Sequence, residues 1–517
     1  MFIFALYLAI ILILGLTAKS TFFSGLFQAK RQVSWIVAGL SLLMFHTTVS
    51  SFQLSYGIIE KYGLQGMWLL WAGSIGTAIV PIVFAPLWKK LNLITDNQFI
   101  LVRFSGYSAK ILHVFRAVYV GGFVVAFGLS FQILAFARLI EVFYGFNSFK
   151  ALIIAGAAVC LFSVKNSLQL KLRYDLFHAI LYFIALGTLY YFIQSETDGF
   201  SNGIQFLRNQ SDSVLNILPS WDEPKLIYSL AIFVGVQWWS AQLFDGGGVE
   251  MARYTATKSP QKAMAAGLFR DALGLATGLF TMVIVILAFA VNLSAGEIGF
   301  VKTIFKVVPM PYTDFIFLGF FALFITTAEA TINWGSSFLT EDLYRGYLNP
   351  KVSQKKYRLI GILLMVGLSI AATIIAYYGE QLEILIKILF SISAGVSPVY
   401  ILRWFWLRIN AWSQISAMIS SGLYTLLFLY MESRFEPWWN TEVFDTYEVR
   451  LLAVTLLTSI TWLMVTFLTP RDSEETLAKF RGILPNGRTV ILQFGVALAL
   501  GILITGLFAF SIYAIIN

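Results

Sequence analysis

The chain has 517 residues, of which 58% are hydrophobic and only 12% charged, and it carries a formal net charge of +9. Its apolar residues come in long unbroken runs rather than amphipathic stripes, a pattern that excludes an ordinary water-soluble fold. The basic residues sit in short connections between those runs, not along one face, so a nucleic-acid partner is excluded and a lipid bilayer is implied.

Runs of roughly 20 apolar residues match a hydrocarbon core about 30 Å thick at about 1.5 Å per helical residue. The expected architecture is therefore an all-α membrane protein of about fourteen transmembrane helices. The first run, from Phe2 to Ala18, has no basic residue before it and no small-x-small cleavage site after it, so it reads as a retained helix. We number it segment 0. Segments 1 to 6 are expected near 35–57, 67–88, 113–144, 151–164, 174–194 and 226–244. Segments 7 to 13 follow near 264–292, 313–340, 357–378, 383–407, 411–431, 450–468 and 489–515.

Lysine and arginine test the count through the positive-inside rule. Connections assigned to the inside hold 24 of them and those assigned to the outside hold 8; Arg116, Arg138, Arg270 and Lys387 fall within helices, which accounts for all 36. Both termini are then expected outside, in a plasma membrane or a bacterial inner membrane. The largest connection, 195–225, is too short for a separate catalytic domain, so the chain reads as one polytopic domain. The single cysteine, Cys160, allows neither an internal disulfide nor a thiolate metal cluster.

Two segments are not ordinary membrane helices. Segment 1 carries His46, Thr47, Thr48, Ser50, Ser51, Gln53 and Ser55 near its centre, where a lipid-facing helix tolerates polar groups poorly. Segment 6 has Gln237, Trp238, Trp239, Ser240 and Gln242, then Asp245 and glycines 246 to 248. Paired interruptions five segments apart point to a transporter site built from inverted repeats. The alternative is that the hydroxyls merely bond back to carbonyls or join neighbouring helices.

Broken helices expose polar and aromatic groups to a cavity, so Ser50, Phe52, Gln53, Gln237, Trp238 and Trp239 are expected to line a substrate pocket. The tryptophans have a competing use as packing or interfacial residues. In segment 8, Thr326, Thr327 and Glu329 fall near the middle, and positions 323, 326, 327 and 330 share a face. Adjacent hydroxyls beside a helix that has lost carbonyl bonds suit a hard monovalent cation; ordinary threonine back-bonding is the competing account. His46, His113 and His178 lie in different segments without metal-ligand spacing, which argues against a membrane-embedded enzyme. A sensor would need an attached signalling domain, and only two residues follow position 515.

At segment 8, SSFLTEDLYRGYL followed by SQKKYRLIGILLMVGL resembles the sodium:solute symporter family, and most closely its sodium/proline branch. The resemblance extends through RQVSWIVAGLSLL, LNLITDNQFILVRFSG, MARYTATKSPQKA and AGVSPVYILRWFW, and so covers roughly residues 20 to 430. It implies a LeuT-type fold with segments 1–5 (35–194) and 6–10 (226–407) as inverted repeats, an extra helix and loop at 1–34 and extra helices at 411–517. It also implies a sodium site made by the carbonyls of His46, Val49 and Leu323 and the hydroxyls of Thr326 and Thr327. Asp175 matches a family aspartate that in some members helps hold a second sodium.

The chain departs from the family as well. Glu329 and Ala330 replace the serines of second-sodium members, Thr48 replaces an aspartate of the proline branch, Leu70 replaces a sugar-contacting acid, and Gly247 replaces a sugar-contacting asparagine. Neither substrate set is reproduced. No cofactor beyond the coupling sodium is expected, and the function implied is sodium-coupled symport of a small polar organic solute. A proton-coupled or uncoupled transporter on the same fold is the alternative. Asp175 and Glu329 are expected to form an acidic coupling site, balanced by a cation, a proton, or a basic partner such as Arg138, Arg270 or Lys387.

Overall fold

A computed structural model describes Tyr7, Ile10, Ile11 and residues 32–163, 168–211, 213–240, 245–293, 295–379, 381–435 and 446–517. Most of segment 0 therefore lies outside the described residues. Among those described, ten helices are long and apolar enough to cross a bilayer, and a bent pair in segment 1 makes an eleventh. Segment 4 (Ser148–Ser163) and the first half of segment 6 (Pro224–Gly235) are apolar but shorter.

Segment 1 consists of Trp35–His46 and Val49–Tyr62, bent by 46° at Thr47 and Thr48. The two threonines add side-chain bonds on either side of the bend. Thr47 Oγ1 donates to the Leu43 carbonyl at 3.0 Å, closing the end of the first half. Thr48 has extended geometry, and its hydroxyl accepts from the Ser51 amide at 3.2 Å as an N-cap of the second half. Segment 6 is interrupted as well. After Pro224–Gly235 and a short turn at Gln237–Trp239, helix resumes at Val249–Ala256, and Gly246 and Gly248 sit between with φ of +65° and +64°. Side chains with a Cβ rarely adopt that conformation.

Segment 8 (Tyr312–Leu348) is the axis of the bundle, with 94% of its most apolar window buried inside the protein. Its polar groups therefore face other helices, not lipid. It crosses segment 3 (Gly106–Tyr144) at a pair of glycines, where a Cβ on Gly335 would stand 2.5 Å from the Gly121 carbonyl oxygen. Segment 5 runs from Leu168 to Glu196, six residues earlier than the sequence suggests. Residues 168–173 alternate polar and apolar and read as a connection, yet they continue the helix and carry Lys171 into the protein interior, where it is 2% exposed.

Segment 13 (Gly487–Ile516) packs on segment 2 (Leu64–Leu91) through Gly501, where an added Cβ would meet the Ile75 carbonyl oxygen at 1.9 Å. Gly501→Val is expected to destabilise the purified protein by about 1–3 kcal/mol through overpacking. Gly495→Val, on the same helix with nothing within 4 Å of its Cβ, serves as the comparison. Thermal unfolding in detergent reads the difference, and equal midpoints for the two variants would contradict this packing.

Candidate substrate and cation site

The break in segment 1 places His46 as the last residue of one half and Val49 as the first of the other. The last carbonyls of the first half, His46 among them, have no following helical amides and remain able to accept. The His46 ring is engaged separately, its Nε2 lying 2.9 Å from Glu250 Oε1, while Tyr254 donates to the second oxygen of Glu250 at 3.0 Å.

On segment 8, Thr327 Oγ1 donates to the Leu323 and Phe324 carbonyls at 3.2 and 3.0 Å, the back-bonding expected of a buried threonine. The Thr326 hydroxyl is turned to segment 5, 2.7 Å from His178 Nδ1, and His178 Nε2 in turn lies 3.0 Å from the Tyr7 hydroxyl. Both hydroxyl oxygens keep lone pairs, and hydroxyl oxygens suit a hard cation such as sodium.

The acidic residues have basic neighbours that sequence reasoning missed. Glu329 Oε2 lies 3.7 Å from Lys171 Nζ, and Asp175 accepts from Ser41 and from Arg253 Nη2, the latter at 3.5 Å. Arg138, Arg270 and Lys387 are committed elsewhere: to Glu297 at 2.6 Å, to Asp271 at 2.7 Å and to Glu383 at 2.7 Å. The expected partners of Glu329 are thus corrected to Lys171, which the early start of segment 5 brings against segment 8. A lysine next to the end of an apolar run carries no sequence signal that separates a buried helical position from a connection.

A cavity of about 340 Å³ adjoins the break, walled by segments 1, 2, 7 and 13. Its polar lining includes Thr47, Ser51, Ser55, Ser74, Arg270 and Asp271. Of the six residues expected to contact substrate, only Phe52 reaches this wall. Gln53 points the other way and donates to the Ala135 carbonyl at 2.7 Å, and Ser50 hydrogen-bonds Thr48 at 2.8 Å. Gln237 is bonded to Leu69 and to Tyr447, Trp239 donates to the Ala394 carbonyl at 3.3 Å, and Trp238 packs edge-on against Trp239. The wall is formed instead by positions 47, 51 and 55, one helical turn apart. Leu70 also borders it.

Ion pairs gather at both ends of the bundle. At the end where lysines and arginines cluster, Asp96 pairs with Arg116 at 2.6 Å and accepts from Trp334 Nε1 at 3.1 Å, while Asp245 pairs with Arg403 at 2.5 Å and accepts from Trp404 Nε1 at 3.0 Å. At the opposite end, Glu297 pairs with Arg138 of segment 3. It also accepts from the Leu382 and Glu383 amides at 2.9 and 2.8 Å, the favourable position for an anion at the start of segment 10 (Leu382–Phe405).

A sequence profile of the sodium:solute symporter family matches residues 26–421. A sodium/glucose cotransporter of Vibrio parahaemolyticus is 20% identical over 468 residues, covering 83% of this chain and 84% of that protein. An osmoregulated proline transporter of Bacillus subtilis is 24% identical over 119 residues, covering 23% of this chain and 24% of that protein. Among solved structures, a sodium-coupled sialic acid symporter in a substrate-bound outward-open state superposes with a TM-score of 0.70 at 15% identity, covering 90% of this chain and 97% of that one, and so shares its fold.

Asp245→Asn is expected to lower stability by about 3 kcal/mol or more, because it leaves the fully buried Arg403 guanidinium without its counter-charge. Adding Arg403→Met should recover part of the loss, since an apolar side chain does not require that partner. Unfolding midpoints of the wild type, single and double variants check both statements.

Proposed function

Because this chain belongs to the sodium:solute symporter family, we propose that it carries a small polar organic solute together with sodium, by alternating access of the cavity beside the segment 1 break. It is a multi-pass membrane transporter rather than an enzyme, as its relatives are. The observation that carries the reading is the juxtaposition of the break at Thr47 and Thr48 with a polar cavity of about 340 Å³. Solute in that cavity and cation at the break would each stabilise the same arrangement of segment 1, which is the requirement for coupling.

In this reading the carbonyls of His46, Val49 and Leu323 and the hydroxyls of Thr326 and Thr327 hold sodium. The serine and threonine wall, with Arg270 and Asp271, hydrogen-bonds the solute. Arg270 and Asp271 are 4% and 8% exposed and pair with each other at 2.7 Å through Nε and Oδ1, while Arg270 Nη2 and Asp271 Oδ2 have no hydrogen-bond partner among the described residues, which supports their use by a ligand. The excess of lysine and arginine in alternate connections supports a plasma-membrane orientation with both termini outside.

Sodium, and not choline, is expected to raise the unfolding temperature of the purified protein. At a hundredfold excess over the dissociation constant the gain is about 2.7 kcal/mol. Thr326→Ala combined with Thr327→Ala should abolish that gain, and a double variant with an undiminished sodium response would remove these hydroxyls from the site.

Solute screening by sodium-driven uptake then identifies the cargo. Arg270→Gln is expected to reduce uptake of that solute at least tenfold while sodium stabilisation persists. Uptake retained at wild-type level would place the solute elsewhere.

A further inference from the structure

Segment 5 presents Lys171, Asp175 and His178 at intervals of four and three residues, on one helical face that lies against segment 8. Lys171 Nζ donates to the Thr326 carbonyl at 3.2 Å and lies 3.7 Å from Glu329 Oε2. Asp175, one turn along, is paired with Arg253 of the second half of segment 6. These four charged side chains are each about 2% exposed or less. Two carboxylates thus face two cations in a space that water hardly reaches, and a buried charge persists there only when it is balanced.

Lys171 has an unusual place in this group. Its ammonium meets one backbone carbonyl and one carboxylate, oxygen donors of the kind that hold an inorganic cation. It borders a cavity of about 50 Å³ whose polar lining includes Thr95, Asp96, Arg253, Asn333 and Ser337, with Val249, Met251 and Ala330 among its apolar walls. The neighbouring Thr326 is the residue whose hydroxyl belongs to the proposed sodium site. A free cation and a tethered one would stand on adjacent faces of the same turn of segment 8.

We propose that Lys171 is a resident cation: its ammonium fills, between the Thr326 carbonyl and Glu329, a position that a free monovalent cation would otherwise take, and so reduces by one the number of such ions the chain binds. The charge is carried by the protein through the cycle and is not released with the solute. Replacing Lys171 by an uncharged side chain removes one positive charge from the cluster, whatever else reaches its carboxylates, and opens this position to sodium. The inference uses the transporter reading above for its meaning in the cycle, but its test does not require the Thr326 and Thr327 site to exist.

The test is equilibrium binding of radioactive sodium to purified protein at pH 8, with choline as the replacement ion. Wild type, Lys171→Met, Lys171→Arg, and Lys171→Met combined with Glu329→Gln are compared. Lys171→Met is expected to bind one more sodium per chain than wild type and to gain more thermal stability from sodium. Lys171→Arg should match wild type, because it restores the tethered charge, and the double variant should lose the additional ion. If wild type binds none and Lys171→Met binds one, the resident cation stands and the sodium site proposed at the break fails. Equal stoichiometry in wild type and Lys171→Met overturns the resident cation. So does a Lys171→Met protein that is recovered folded in neither sodium nor choline, since the vacated position then attracts no ion able to sustain the fold.

Discussion

Inside a bilayer there is no bulk water to receive a charge or an unpaired peptide group, so every polar atom drawn into this bundle must be answered by another part of the protein. Segment 8 concentrates that constraint. It is enclosed on nearly all sides, yet carries Thr326, Thr327, Glu329 and Thr331, and each has to find its partner on a neighbouring helix or on its own backbone. The partners are what hold segments 5 and 6 in register with it: His178 and Lys171 from one, and Arg253 from the other by way of Asp175. Catalogued as helices, these are apolar rods; their relative placement is decided by a few polar contacts.

The same constraint explains why the two interruptions can exist. Segment 1 could not be broken in lipid without leaving backbone groups unmet. Thr48 answers one of them locally by capping the Ser51 amide, Thr47 adds a second donor to the Leu43 carbonyl, and Glu250 takes up the ring of His46 just before the break. Beside the break lies a cavity with its own hydroxyls and an ion pair between Arg270 and Asp271. A gap in a membrane helix is thus an expensive structure in isolation and a tolerable one where ligands, side chains or ions supply the missing bonds.

Much of this was legible in the sequence, for a simple reason: in a chain so apolar, a polar run stands out. The interruption around Thr47 and Thr48, the glycines at 246 and 248 and the hydroxyl pair of segment 8 could all be located without coordinates. What could not be read is which residues answer each other. Gln53 reaches a carbonyl 82 positions away at Ala135, and that choice turned it from the cavity that Ser51 and Ser55 face. Lys171 looked like a charge in a connection because helix ends blur over several residues and lysine is common in such places. Only the packing of segment 5 on segment 8 brings it within 3.7 Å of an acid 158 positions later, and pairings over that span have no local signature.

The contact at Gly501 has a mechanical meaning as well. Segment 13 touches segment 2 with no room for even a methyl group at Gly501, and its Phe508 ring stands edge-on to Trp71 of segment 2 and within 3.1 Å of where a Cβ on Gly278 of segment 7 would be. The last helix of the chain is therefore clamped to two of the walls of the cavity and supplies part of a third through Ile504 and Phe508. Any displacement that carries segments 2 and 7 past segment 8 must take segment 13 along as a rigid passenger. A probe attached near the end of the chain would report that displacement directly, like a pointer fixed to the moving half of a hinge.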